Sequence, residues 1–181
     1  MRKSLLVLAL CSGSLLFGQC RGLFSKALDP QPAVPVLPEA TQTGRNTVGF
    51  LVNDTVWLPQ GNWNRPRLGG YYGEGRLVLY GNYSPNANPN DQAGFGLYLG
   101  NARSGPGTYP LYAPLNTGRS SGGTFSRGAE HYETNATHNG VLTITRLDSV
   151  KRIVSGEFSF SPVDRAGNTV RITSGRFDMQ Y

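Results

Sequence analysis

Beyond Arg45 the chain never sustains the apolar recurrence at every third or fourth position that an amphipathic helix requires. It consists of short β-rich runs broken by Gly, Asn and Pro, and this pattern confines it to all-β architectures. The runs are Thr47–Val52, Thr55–Leu58, Arg76–Tyr80, Phe95–Leu99, Gly107–Tyr112, Glu130–Glu133, Val141–Leu147, Arg152–Phe160 and Thr169–Tyr181. Roughly eight to ten strands over residues 45–181 predict a single antiparallel β-sandwich or a small β-barrel.

Local patterning sharpens that expectation. Val52-Asn53-Asp54-Thr55 predicts a tight turn, because Asn and Asp tolerate left-handed backbone. Period two places Val154, Gly156, Phe158 and Phe160 on one strand face, opposite Glu157 and Ser159. In the last run Val170 and Ile172 are even-numbered, whereas Phe177, Met179 and Tyr181 are odd. The switch at Ser174-Gly175 predicts a β-bulge. Arg165-Ala166-Gly167-Asn168 predicts the turn that joins the last two long strands. The expected core is Phe50, Val52, Trp57, Leu77, Leu79, Phe95, Leu97, Leu99, Leu142, Ile144, Val154, Phe158, Phe160, Ile172 and Phe177.

The N-terminal residues read as an address. Met1-Arg2-Lys3 is positive, residues 4–10 are an apolar run, and small residues follow, which is the order of a secretory signal peptide over 1–20. The run is far shorter than the ~20 apolar residues that span a bilayer. Leu16-Phe17-Gly18-Gln19-Cys20 has the outline of a bacterial lipobox, in which Cys20 is acylated and anchors the protein to a membrane, although Gln19 stands where a small residue is usual. Gly18 and Cys20 also suit ordinary signal peptidase, which would release a soluble protein. Residues 21–44 follow as a Pro-rich tether, with Pro30, Pro32, Pro35 and Pro38 favouring an extended chain.

Composition removes several function classes. The chain's two cysteines both lie within the first 20 residues, so the domain has no disulfide staple, cysteine metal site or cysteine nucleophile. The formal net charge of +6 is scattered, and nucleic-acid binding needs a clustered basic stripe. No motif implies a cofactor.

The chain from Leu37 onward carries end motifs that can be compared with a known family. They are Leu37–Thr47 leading into Gly49-Phe50-Leu51-Val52-Asn53, Trp57 and Pro59, then Leu147-Asp148, residues 153–160 and residues 172–178. In these it resembles a family of uncharacterised lipoprotein domains exported by Bacteroidota-type bacteria. The resemblance implies export and an all-β fold and supplies no mechanism. Family members usually carry Cys at the position of Phe50 and Gly at that of Asp54.

Chemical motifs are sparse. Gly118-Arg119-Ser120-Ser121-Gly122 matches a nucleophile-elbow pattern but lacks the preceding strand and following helix, so it reads as a loop. Residues 86–91 mimic the start of a calcium loop, but Asp91 stands where an EF-hand needs Gly and Leu97 where it needs a bidentate Glu. Glu130, His131, Tyr132, Glu133 and His138 gather both histidines, and a hydrolase site there is the alternative reading; the same residues make no diagnostic metal site. Trp63, Arg65, Tyr71 and Tyr72, in a Gly-rich polar stretch, are the candidate ligand contacts, since exposed aromatics beside polar groups stack on sugars or anchor proteins. The expectation is therefore a non-catalytic binding or structural domain of the cell envelope, with an envelope protein or a glycan as partner.

Overall fold

The computed structural model describes residues 35–100, 102, 105–114 and 121–181. The signal sequence, Cys20, most of the tether and residues 118–120 of the elbow pattern lie outside them. Among the described residues there are eleven strands: β1 (Thr47–Val52), β2 (Thr55–Trp57), β3 (Leu68–Gly73), β4 (Arg76–Tyr83), β5 (Ala93–Leu99), β6 (Gly107–Leu111), β7 (Gly122–Arg127), β8 (Glu130–Glu133), β9 (Gly140–Asp148), β10 (Ile153–Phe160) and β11 (Ile172–Gln180). They form two antiparallel sheets, one of six strands ordered β2-β1-β11-β10-β9-β6 and one of five ordered β3-β4-β5-β7-β8. Neither sheet closes on itself, so the architecture is a sandwich and not a barrel.

The inner faces meet through aromatic rings. Phe50 of β1 stacks on Trp57 at 4.6 Å and reaches across to Phe95 at 5.1 Å and Phe125 at 6.4 Å. Phe95 in turn stacks on Phe158 at 5.8 Å. Every residue expected in the core is buried, together with Val48, Phe125, Tyr132 and Met179, which the sequence reading did not include.

The expected turns and the bulge are present. Asn53 and Asp54 both have positive φ (45° and 67°), the geometry of the two-residue turn that matches strand twist. At β11 the pairing with β10 steps from Phe158↔Gly175 to Phe160↔Ile172, and Ser174 sits in the irregularity with φ 53°. This moves the buried positions from Ile172 to Phe177 and Met179. Val163 pairs with Thr169 around the turn at residues 165–168.

Two strands went unread. β3 is Leu-Gly-Gly-Tyr-Tyr-Gly and β7 opens Gly-Gly-Thr, and glycine ordinarily weakens a strand because it offers no side chain to pack. Here the missing side chains are replaced from the neighbouring strand. Directly across the ladders, Gly69 faces Tyr80, Gly81 faces Phe95, Gly122 faces Tyr98, Gly156 faces Phe177 and Gly175 faces Phe158. A Cβ on Gly81 or Gly175 would lie 2.5 Å from the opposing phenyl ring, so each ring lies on its glycine's backbone. Such cross-strand rings offset the loss of strand propensity at glycine.

Residues 38–45 cross part of the outer face of the six-stranded sheet, over Gly49, Asp178 and Arg146. Pro38 packs on Gly49, Arg176 Nη1 donates to Pro38 O at 3.2 Å, and Arg146 Nη1 donates to Gln42 O at 2.5 Å. Asp178, fully buried on β11, accepts from Thr41 Oγ1 (2.6 Å), Thr43 N (2.9 Å), Gly44 N (2.8 Å), Arg45 N (3.2 Å) and Ser155 Oγ (2.7 Å). Burial pushes its carboxyl up. The hydrogen bonds from Thr41, Ser155, Gly44 and Thr43 outweigh that and hold it well below the usual carboxylate range. The compact unit accordingly runs from Pro35 to Tyr181.

Candidate functional site

The other outer face, on the five-stranded sheet, is left open by the strap and carries a row of tyrosines. Strand alternation sends Tyr71 of β3, Val78 and Tyr80 of β4, Tyr98 of β5 and Thr124 of β7 outward, while Leu77, Leu79, Leu97 and Phe125 point into the core. Pairing sets Tyr71 beside Val78 and Val78 beside Tyr98, then Tyr80 beside Gly96 and Gly96 beside Thr124. Each of the three tyrosines leans over a glycine: Tyr71 over Gly73, Tyr80 over Gly69 and Tyr98 over Gly122. The rings are laid along the sheet, and Tyr71 and Tyr80 remain 55% and 42% exposed.

Between Tyr80 and Tyr98 the absent side chain of Gly96 leaves a groove of about 410 Å³, with Arg76, Val78 and Thr124 on its walls. Tyr98 is the fixed post of this groove. Its hydroxyl donates to Ala113 O, and burial followed by the negative charge of Glu133 pushes its pKa up to about 12. An arrangement of laid-down rings with hydroxyls and one guanidinium at the margin suits stacking on a flat ligand such as a pyranose ring.

The four residues singled out in the sequence occupy three different places. Tyr71 belongs to the open face. Tyr72, its neighbour on β3, points the other way and packs edge-on against Tyr181 with centroids 5.4 Å apart. Trp63 is 96% exposed at the tip of a turn that Asn62 holds by accepting from Asn64 N and Arg65 N, both at 3.0 Å. Arg65 is exposed in the same turn. Val78, Tyr80 and Tyr98 were missed because their run reads as an ordinary strand. The signal that finds them is the glycine opposite each tyrosine, which appears only once the strand register is known.

The Glu130–His138 group is partly assembled. His131 Nε2 and Glu133 Oε1 are 2.8 Å apart on β8, and Tyr132 Oη donates to Glu130 Oε2 at 3.0 Å. A cleft of about 710 Å³ beside them is lined by Glu130, His131, Glu133, Asp164 and Arg165. Asp164 is engaged by Ala166 N, Asn168 N and Asn168 Nδ2, at 2.8 to 2.9 Å. His138 does not line this cleft; its backbone N–H donates to Asn135 Oδ1 at 2.7 Å. Among the described residues no three His, Cys, Asp or Glu side chains converge as metal ligands.

Residues 93–179 match a family described as a domain of unknown function, DUF6252. The match runs from the start of β5 into the last residues of β11, and so includes Tyr98, the β8 cleft and Asp178 but not Tyr71, Val78 or Tyr80. No curated protein and no solved structure matches the chain.

Proposed function

We propose that this is an exported cell-envelope protein, lipid-anchored through Cys20, whose sandwich is a non-catalytic glycan-binding domain. The open tyrosine face of the five-stranded sheet is its binding surface. The observation that carries the reading is the set of tyrosines laid over glycines on the outer face of the five-stranded sheet, which residues 38–45 do not touch. The signal-like N-terminus supports export, and the match to a domain of unknown function is compatible with a binding role. Trp63 and Arg65, exposed on their own turn, supply a second contact point for a long ligand.

The test is calorimetric titration of the detergent-solubilised full chain with soluble linear neutral hexose oligosaccharides. Tyr80→Ala and Tyr71→Ala are each expected to weaken binding about tenfold, the loss typical of an aromatic anchor. His131→Ala is expected to leave affinity unchanged. Absence of binding, or binding indifferent to both tyrosines, overturns the assignment.

A second reading, a hydrolase built on β8, draws on the His131–Glu133 pair and its cleft. It requires turnover of a glycoside or ester that His131→Ala abolishes and Tyr80→Ala spares.

A further inference from the structure

We propose that β3 is a pairing edge, and that its occupant is β3 of a second copy of this chain, joined antiparallel about a two-fold axis at Gly70. The inference rests on the backbone of the edge and is independent of the ligand assigned above.

The sandwich has four edge strands, and three of them are blunted in the ways native sheets use against uncontrolled pairing. β2 is three residues long. β6 carries Pro110, which has no N–H to offer. β8 is four residues, three of them Glu or His, and its Glu133 already exchanges both backbone bonds with Val163 at 3.0 Å. β3 has six residues, an unbroken register, no proline and no charged side chain.

Its hydrogen-bonding phase is known. Gly73 and Arg76 close the two-residue turn Glu74-Gly75, and Asn82 N donates to Arg67 O at 3.0 Å. Residues 67, 69, 71 and 73 therefore bond to β4, and the N–H and C=O groups of Leu68, Gly70 and Tyr72 point away from it. Among the described residues nothing pairs with those groups.

These positions are symmetric about Gly70, which makes the edge self-complementary. In the register centred there, Gly70 faces Gly70 of the second copy and Leu68 faces Tyr72, so every outward group of the three residues finds a partner. On the open face Tyr71 stands opposite Gly69, the glycine over which Tyr80 leans, so Tyr71 of one copy and Tyr80 of the other meet as rings across the seam. A two-fold operator needs this kind of isologous patch. Pairing joins the two five-stranded sheets and makes their tyrosine rows one continuous surface.

The test is sedimentation velocity of the full chain in mild detergent over a concentration series. A reversible dimer is expected. Tyr71→Lys sets like charges beside the axis, and Leu68→Pro deletes one edge N–H; each is expected to weaken dimerisation tenfold or more. Val141→Lys, on an exposed position of the other sheet, is expected to leave the dimer intact. Because Tyr71 is more than half exposed, its substitution spares the fold, and matching unfolding curves verify this. On dimerisation, amide exchange at Gly70 and Tyr72 is expected to slow selectively. A single-chain mass at every concentration, or a dimer that survives both edge substitutions, overturns the proposal.

Discussion

Asp178 concentrates more of the domain's polar order than any side chain on the open face. Its two oxygens accept from three backbone amides and two hydroxyls while the residue is 1% exposed. Asp178→Asn keeps the shape but turns an NH2 group toward donors, so we expect a loss of about 2–4 kcal/mol in urea unfolding. The pH dependence has a definite sign. The folded carboxyl titrates well below its unfolded value of about 3.9, so its contribution is complete above that value and is lost progressively as pH falls from there toward the lower folded value. The urea midpoint of the native protein should hold from neutral pH to about pH 5 and drop below about pH 4. That of Asp178→Asn should drop less steeply.

The glycines beneath rings make a second prediction at this scale, one that separates core from surface. Gly81→Ala forces a methyl against Phe95, which is 4% exposed and has nowhere to go, and should cost about 1–3 kcal/mol. Gly69→Ala presses on Tyr80, whose ring is free to swing into solvent. It should leave the unfolding midpoint within about 0.5 kcal/mol of native while weakening oligosaccharide binding. Equal destabilisation by the two would show that Tyr80 is not the mobile partner.

At the scale of elements, legibility followed side-chain periodicity. β10 and β11 announce themselves because Phe, Val and Ile alternate with polar residues, β1 because it is a short β-rich run ending in Phe-Leu-Val, and even the bulge near Ser174 shows as a change of parity. Phe50 could be placed in the core but not at its aromatic centre, because its partners come from β2, β5, β7 and β10. β3 and β7 were illegible for the opposite reason. Apart from Gly73, which Tyr71 of the same strand covers, their glycines pack against side chains of other strands, so most of the information that makes them strands is not within their own residues. The candidate site suffered the same way: Tyr71 was visible as an aromatic in a polar stretch, but its separation from Tyr72 depends on β3 being a strand. Asp178 read as one more polar residue in a terminal motif, since its five donors lie at residues 41–45 and at Ser155.

For the whole molecule, the contrast between the two outer faces organises the reading. One is crossed by residues 38–45 around Asp178 and the other bears the tyrosines, so ligand and strap do not compete for the same surface. The proposed anchor is tested on intact cells. Mass spectrometry of the purified protein should show acylated Cys20 as the N-terminal residue, and Cys20→Ala should shift the protein from the membrane to the soluble fraction. An unmodified N-terminus in a protein already soluble would instead favour simple secretion. Resistance to a pull depends on where the force enters a sheet. Tension on the chain ahead of Pro35 would reach the clasp at Asp178, on β11, a strand flanked by β1 on one side and β10 on the other. A domain held this way receives force at the middle of its larger sheet instead of at a peelable margin, so stretching should first strip the clasp and only later shear the strands.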